Sequence, residues 1–279
     1  MRIGVVGIGS IGKRHVTNLL EMGKHEILGY DTRVGKDGWT VGLPIQAVSD
    51  RLMLWDYKPE VVLICTPPVS HAPLALEAME YEAHCFIEKP LACYNWEVST
   101  PILKARAKKL HLAVGYQLRF HKLGIERHFN NQVLDIVHAQ DMSAWPSWYQ
   151  KDVLEEFSHE IDLACFLNGP VDKVVARQSD NGLKWNIELK HLQGMSNIQI
   201  CADSTTYKRW IVDASGGSWT FKIKDNDQAY KDELRAFLNV CQGGPWDERL
   251  CSGAEAAHVV RIIEACRESA RECKVVTLA

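Results

Sequence analysis

The sequence predicts an α/β protein whose N-terminal half is a doubly wound parallel sheet and whose remainder is built on a mostly antiparallel one. Three observations support this. A β-branched run ends in a turn carrying Gly7, Gly9 and Gly12, strands and helices then alternate, and beyond "LHLAVGYQLRF" come short apolar or alternating segments separated by Gly, Asn, Asp and Ser. The expected division is 1–118 and 119–279.

The opening strand, "RIGVV", runs directly into the glycine turn, and Val16, Leu19 and Leu20 then recur at helical spacing. Strand, tight turn and helix form the Rossmann arrangement for a dinucleotide. Gly7 permits the turn, Gly9 lets the backbone approach a pyrophosphate, and Gly12 lets helix and strand pack closely. Ser10 and Ile11 join them as cofactor-binding candidates because a helix N-terminus faces an anion well. The next segment, "HEILGYD", ends at Asp31, nineteen residues after Gly12, where an acid accepts hydrogen bonds from the adenosine ribose hydroxyls. That favours NAD. Arg33, two residues on, could meet a 2'-phosphate instead, so NADP stays possible.

A further strand, "EVVLICT", leads into Thr66, Pro67 and Pro68 and then a helix with Leu74, Leu76, Ala78 and Met79. The strand "HCFIE" follows and delivers Lys89, whose backbone the next residue, Pro90, holds extended. Ligands of doubly wound sheets collect beyond the carboxyl ends of the strands, so the glycine turn, Thr66 and Lys89 are expected on one rim. Pro67, His71 and Glu88 are cofactor-binding candidates beside them.

Composition restricts the partners. The chain has 279 residues, 46% hydrophobic and 24% charged, the profile of a soluble globular protein with a large core or two domains. A net charge of -3 gives no electrostatic footprint for nucleic acid or an anionic membrane, which leaves a small-molecule substrate as the expected partner. Nine cysteines, mostly in apolar runs and without a Cys-x-x-Cys pair, read as reduced buried thiols and not as a zinc site. With no targeting or spanning segment in view, the expected location is cytoplasmic.

The strings "GIGSIGKRH", "CTPPVSHAPLALEAM" and "EKPLA", in this order and spacing, resemble the Gfo/Idh/MocA oxidoreductases, which use NAD or NADP on sugars, cyclitols and related polyols. "GYQLRFH", "SHEIDLACFLNGPV", "DELRAFLNV" and "ACRESARECKVV" extend the likeness over most of the chain. The resemblance implies a Rossmann domain followed by an α+β domain on an open, mostly antiparallel sheet, with the active site between them. It further implies that Lys89 lies beside the nicotinamide and the reacting hydroxyl, often before a cis proline. The second signature implied is a helix with a histidine, an acid a turn earlier and an aspartate three residues later, which here gives His159 and Asp162. Glutamate stands at both 155 and 156 where the family usually has aspartate, and Glu156 is taken as the catalytic candidate with the choice left open. The family's glycine-rich lead-in is replaced by "PSWYQKDV". "SHEID" after a tryptophan-containing loop resembles members acting on nine-carbon acidic sugars or nucleotide sugars, and relatives commonly pair through the exposed sheet face as dimers or tetramers.

Read by its own pattern, the second domain contains strands in "VLDIVHAQDM", "VDKVVARQS", "KWNIELKHLQ", "SNIQICADS" and "RWIVDAS". One helix is expected over 152–167, with Glu155, His159 and Asp162 on one face. Ordinary structural roles would account for these residues as well. Trp148 and Tyr149, with Trp145, are candidates to stack on a sugar face or simply to cover the core. Gln117 is a candidate for cofactor contact and Arg119 for substrate contact, a hinge role being the alternative. An amphipathic helix with Leu234, Phe237, Leu238 and Cys241 ends at Gly243 and Gly244, and a last helix spans 253–272 before the strand "KVVTLA".

The expected activity is hydride transfer between a nicotinamide and a hydroxyl or carbonyl of a sugar, sugar acid, nucleotide sugar or cyclitol. A non-catalytic dinucleotide-binding regulator is the first rival. The second is a redox-cycling lyase or glycosidase, or a reductase of a non-sugar carbonyl or imine, in the same pocket.

Overall fold

The computed structural model describes residues 1–23, 25–36, 39–121, 133–143, 152–221 and 226–278. They form two compact units, residues 1–120 with 227–257 and residues 121–226 with 258–279.

In the first unit the chain runs β1 (Arg2–Val6), α1 (Ser10–Met22), β2 (Glu26–Tyr30), β3 (Gln46–Val48), α2 (Arg51–Asp56), β4 (Val61–Ile64), α3 (His71–Glu80), β5 (His84–Glu88), α4 (Asn95–Ala107) and β6 (Leu112–Gly115). The sheet order is β6-β5-β4-β1-β2-β3, all parallel, with Cys251–Ser252 added antiparallel at the β6 edge. Strand order reverses beside β1, which places a crevice at the carboxyl ends of β1 and β4. All four residues of β4 are buried, as expected of a parallel strand covered on both faces. The three-residue β3 lies in a stretch with no strand period to read.

The division differs from a single cut after residue 118. Helix 226–241 packs with the first sheet: Leu234, Phe237 and Leu238 join one apolar cluster with Ile3, Val5, Leu63 and Phe86. The Phe237 and Phe86 rings lie 5.5 Å apart. This helix ends as its glycines require, with Gly243 at φ 89° and the Gly244 N–H donating to the Asn239 carbonyl at 2.9 Å.

The second unit carries β7 (Val133–Asp141), α5 (Val153–Glu156), α6 (Ser158–Asn168), β8 (Val171–Gln178), β9 (Lys184–His191), β10 (Met195–Cys201), β11 (Asp203–Asp213) and β12 (Ser218–Thr220). After these come α7, the helix Asn226–Cys241 already described, and β13, the edge strand Cys251–Ser252. Helix α8 (Gly253–Glu272) and β14 (Val276–Thr277) complete the chain. The second sheet has the order β12-β11-β7-β10-β9-β8-β14, antiparallel except for the β7–β10 pair. Its alternation is clearest in β9, where Trp185, Ile187 and Leu189 are buried and Lys184, Asn186, Glu188 and Lys190 are exposed. The helix expected over 152–167 is in two pieces, broken at Phe157 (φ -87°, ψ 17°).

Among the described residues no helix is long and apolar enough to cross a membrane. None of the nine cysteines is in a disulfide; Cys65, Cys85, Cys251 and Cys266 are buried, while Cys273 is exposed, contrary to the uniform burial expected. Burial pushes the Cys241 thiol up to about 12.

Candidate cofactor and catalytic residues

The glycine turn is built as its sequence dictates. Gly7 has φ 87°, and a Cβ there would lie 2.8 Å from the Cys65 carbonyl oxygen; one on Gly12 would lie 2.0 Å from the Gly7 carbonyl oxygen. A Cβ on Gly9 would meet nothing within 4 Å, so open space lies over that backbone. Helix α1 starts there without a side-chain cap and without an acid in its first turn, leaving the leading amides of Ser10 and Ile11 to an anion. An open cradle at an uncapped helix start fits a dinucleotide pyrophosphate.

Asp31 follows β2 and is buried, and its Oδ2 accepts from the Ile8 amide at 2.9 Å. Burial raises its pKa, but the hydrogen bonds from Arg33 and Ile8 more than offset this and hold the carboxyl below its ordinary value. Arg33 binds it through Nε at 2.8 Å and Nη2 at 2.7 Å.

Strands β5, β4 and β1 are parallel neighbours, so Lys89, Thr66 and Gly7 leave the sheet at one edge, as the sequence predicts. Side chains tie these exits together. His71 is fully buried, with Nδ1 2.7 Å from the Pro90 carbonyl oxygen and Nε2 2.7 Å from that of Thr66. Burial lowers its pKa, so the neutral ring donates to one carbonyl at a time. Expected to touch the cofactor, His71 has both ring nitrogens engaged by the protein and acts as a strut between two rim loops. Pro67 is exposed beside it.

Glu88 is also buried, and its Oε1 lies 2.5 Å from Nε2 of His15 on α1. Its other oxygen accepts from the Lys89 amide at 3.3 Å. The expected contact of Glu88 with cofactor is thus replaced, at its carboxylate, by a brace from the glycine-turn helix to the lysine. The Lys89–Pro90 peptide is cis, and Lys89 itself is partly exposed. Sequence reasoning passed over His15, although it falls with Gly12, Val16 and Leu19 on the inward face of α1.

Gln117 and Arg119 follow β6 and are buried. Arg119 Nη1 donates to Glu255 Oε1 at 2.9 Å, and Glu255 also accepts from the amide and hydroxyl of Ser252. This gives Arg119, expected to contact substrate, a structural partner at the start of α8.

In the second unit, His159 and Asp162 lie three apart on α6, both buried. Glu155, expected on their face, precedes the break at Phe157 and is bound by Arg267 at 3.2 Å. Glu156 acts electrostatically on His138 and Arg209. The acid that sequence reasoning missed is Glu160, fully buried, with Arg209 Nε of β11 at 2.6 Å and His138 Nδ1 of β7 at 2.9 Å. Burial raises the Glu160 pKa, and Arg209 followed by His138 overturns that and keeps it ionised. One residue along from His159, about 100° around the helix, it fastens α6 to the sheet. Trp145, Trp148 and Tyr149 lie outside the described residues.

Residues 1–116 match the family GFO_IDH_MocA, the oxidoreductase family with an NAD-binding Rossmann fold. That match takes in the nucleotide-binding part of the chain, from the glycine turn to the end of β6. Over 127 residues it is 28% identical to myo-inositol 2-dehydrogenase of Thermotoga maritima, covering 44% of this chain and 38% of that one. Over 181 residues it is 26% identical to UDP-N-acetylglucosamine 3-dehydrogenase of Acidithiobacillus ferrooxidans, covering 62% and 56%. The chain therefore aligns with between a third and three fifths of the length of these two relatives. The crystal structure of a myo-inositol dehydrogenase from Corynebacterium glutamicum superposes over 100% of this chain and 99% of that one, with a TM-score of 0.85 at 19% identity, so the likeness of fold includes the second sheet.

Proposed function

We propose that the protein is an NAD(P)-dependent dehydrogenase acting on a CH–OH carbon of a sugar, sugar acid, nucleotide sugar or cyclitol. The observation that carries the reading is the bonded rim: Lys89 is held between Glu88, braced by His15, and Pro90, braced by His71, at the edge that also carries the glycine turn. A regulator that only held a dinucleotide would have no use for a lysine whose backbone is so fixed.

The bound nicotinamide supplies a hydride acceptor. Lys89 presents a positive charge that stabilises a developing alkoxide and, in reverse, polarises a carbonyl. His159 takes the hydroxyl proton as general base. Asp162 orients the imidazole or holds neighbouring hydroxyls, and Glu156 is a weaker candidate for the same task. Gly9, Ser10 and Ile11 hold the pyrophosphate through their amides, with Thr66 and Gln117 beside the cofactor. The relatives named above act on a cyclitol and a nucleotide sugar, which supports the substrate class. The outward face of the second sheet, with Val133, Met195 and Trp210 exposed, is the proposed contact of a homodimer or homotetramer. Light scattering showing a single monomeric species removes that part.

Lys89→Ala is expected to lower kcat by about 100-fold or more while dinucleotide binding is kept, and His159→Asn to lower it similarly. The second change also abolishes any ascending limb of rate with pH near neutrality. Unchanged turnover in Lys89→Ala removes that residue from the mechanism, and a persistent limb in His159→Asn points to another base.

A further inference from the structure

Trp185 carries a hydrogen-bond donor that the protein leaves unused. The residue is 4% exposed, on the inward face of β9 with Ile187 and Leu189, and its indole N–H is buried with no acceptor among the described residues. It lines a cavity of about 550 Å³ in the second unit, bounded by the β8–β9 turn, the start of α5 and the end of α8. None of the residues lining it is among those proposed for hydride transfer or dinucleotide binding. The volume is that of a small-molecule site. A buried donor without an acceptor is a cost that an incoming ligand removes.

The walls are held before any ligand arrives. In the turn, Ser179 Oγ donates to Asn181 Oδ1 at 2.7 Å and accepts from the Lys184 amide at 3.0 Å. On α8, Ser269 Oγ accepts from the Ala176 amide at 2.9 Å and donates to the Lys274 carbonyl at 2.6 Å, which fixes the helix end to β8. The charges then sort the ligand. Arg267 is bound by Asp152 and Glu155, and Arg271 by Glu272, so an anion would have to compete with an acid for either guanidinium. Of the two carboxylates in the lining, Asp152 also caps α5, whereas Asp180 has no partner among the described residues. An unused donor and an unused acceptor in one cavity suit hydroxyl groups, each of which can both accept and donate.

We propose that this cavity binds a neutral polyhydroxyl compound, a sugar or cyclitol, with the Trp185 N–H donating to one hydroxyl and Asp180 accepting from another. Val153 and Leu183, also in the lining, offer apolar surface to the C–H face of the ring. The site is separate from the proposed dehydrogenase chemistry and stands or falls without it.

A proton–nitrogen correlation spectrum of the indoles, with Trp185 assigned by triple resonance, reads the site directly. Titration of the full chain with myo-inositol, D-glucose or N-acetyl-D-glucosamine, without dinucleotide, should shift the Trp185 signal saturably with at least one of them, at a Kd of about 1–10 mM, the affinity of a few hydrogen bonds. The shift should persist in Lys89→Ala, which separates it from binding at the proposed active site. Asp180→Ala, an exposed change, should weaken the binding about tenfold, the loss of one hydrogen bond to a charged group, and leave NAD affinity unaltered. No saturable shift with any of the three up to about 100 mM, meaning that water alone partners the indole, overturns the proposal. So does a shift produced by inorganic phosphate and not by the polyols, or one that Asp180→Ala leaves unchanged.

Discussion

Residues one position apart on α6 are given different work by their surroundings. His159 is the proposed general base, whereas Glu160 is sealed between Arg209 and His138. Removing one partner from a buried ion pair leaves an uncompensated charge, so Arg209→Met is expected to destabilise the second unit by about 3–5 kcal/mol. Denaturant titration with a probe in that unit reads the change; a loss below about 1 kcal/mol would show that Glu160 is solvated or paired elsewhere. At this scale legibility followed local constraint. Gly7 and Gly12 are readable because a positive φ and a close approach each restrict the residue type, and the position of Lys89 at the end of β5 is readable because Pro90 restricts its backbone. Glu160 is not, since nothing in "SHEID" distinguishes a solvated acid from one whose partners lie 22 and 49 residues away, at positions 138 and 209. His71 and Glu88 look like ligand contacts in the sequence, which shows which residues gather at a rim but not which of them hold each other.

Elements were legible where their period was long enough. Helix α8 falls over the 253–272 its apolar pattern predicts, and β5 over the five residues of "HCFIE". Strand β3, at three residues, has no period, and the Phe157 break in the α5–α6 stretch is a local backbone choice invisible in an otherwise helical pattern. Helix α7 is legible as amphipathic, but an apolar stripe does not announce which core it covers. Its Phe237 is fully buried against Phe86 of the first sheet, more than a hundred residues upstream. Phe237→Ala is accordingly expected to cost about 3–5 kcal/mol and to lower dinucleotide affinity by loosening the first unit. A loss of stability confined to probes in the second unit would contradict the assignment of α7.

Across the whole molecule, acid is expected to loosen the fold from near neutrality downward. Burial holds His71, His138, His191 and His258 below the ordinary value of 6.5. The unfolded chain then binds more protons than the folded one, so this contribution is complete above about pH 6.5 and falls as pH drops through that region. Glu160 and Asp31, both held below their ordinary values, add losses in the same direction at lower pH. Thermal unfolding followed from pH 7.5 to about pH 5 should show a falling Tm; a flat or rising Tm would mean these histidines are protonated in the folded state.

The proposed dehydrogenase activity is tested most directly by the absorbance of reduced nicotinamide when the purified chain is given NAD or NADP with a panel of cyclitols, sugars, sugar acids and nucleotide sugars. Reduced cofactor accumulating with at least one member, and failing to accumulate in Lys89→Ala, is the result expected. Tight dinucleotide binding with no reduced cofactor from any member in either direction would contradict it.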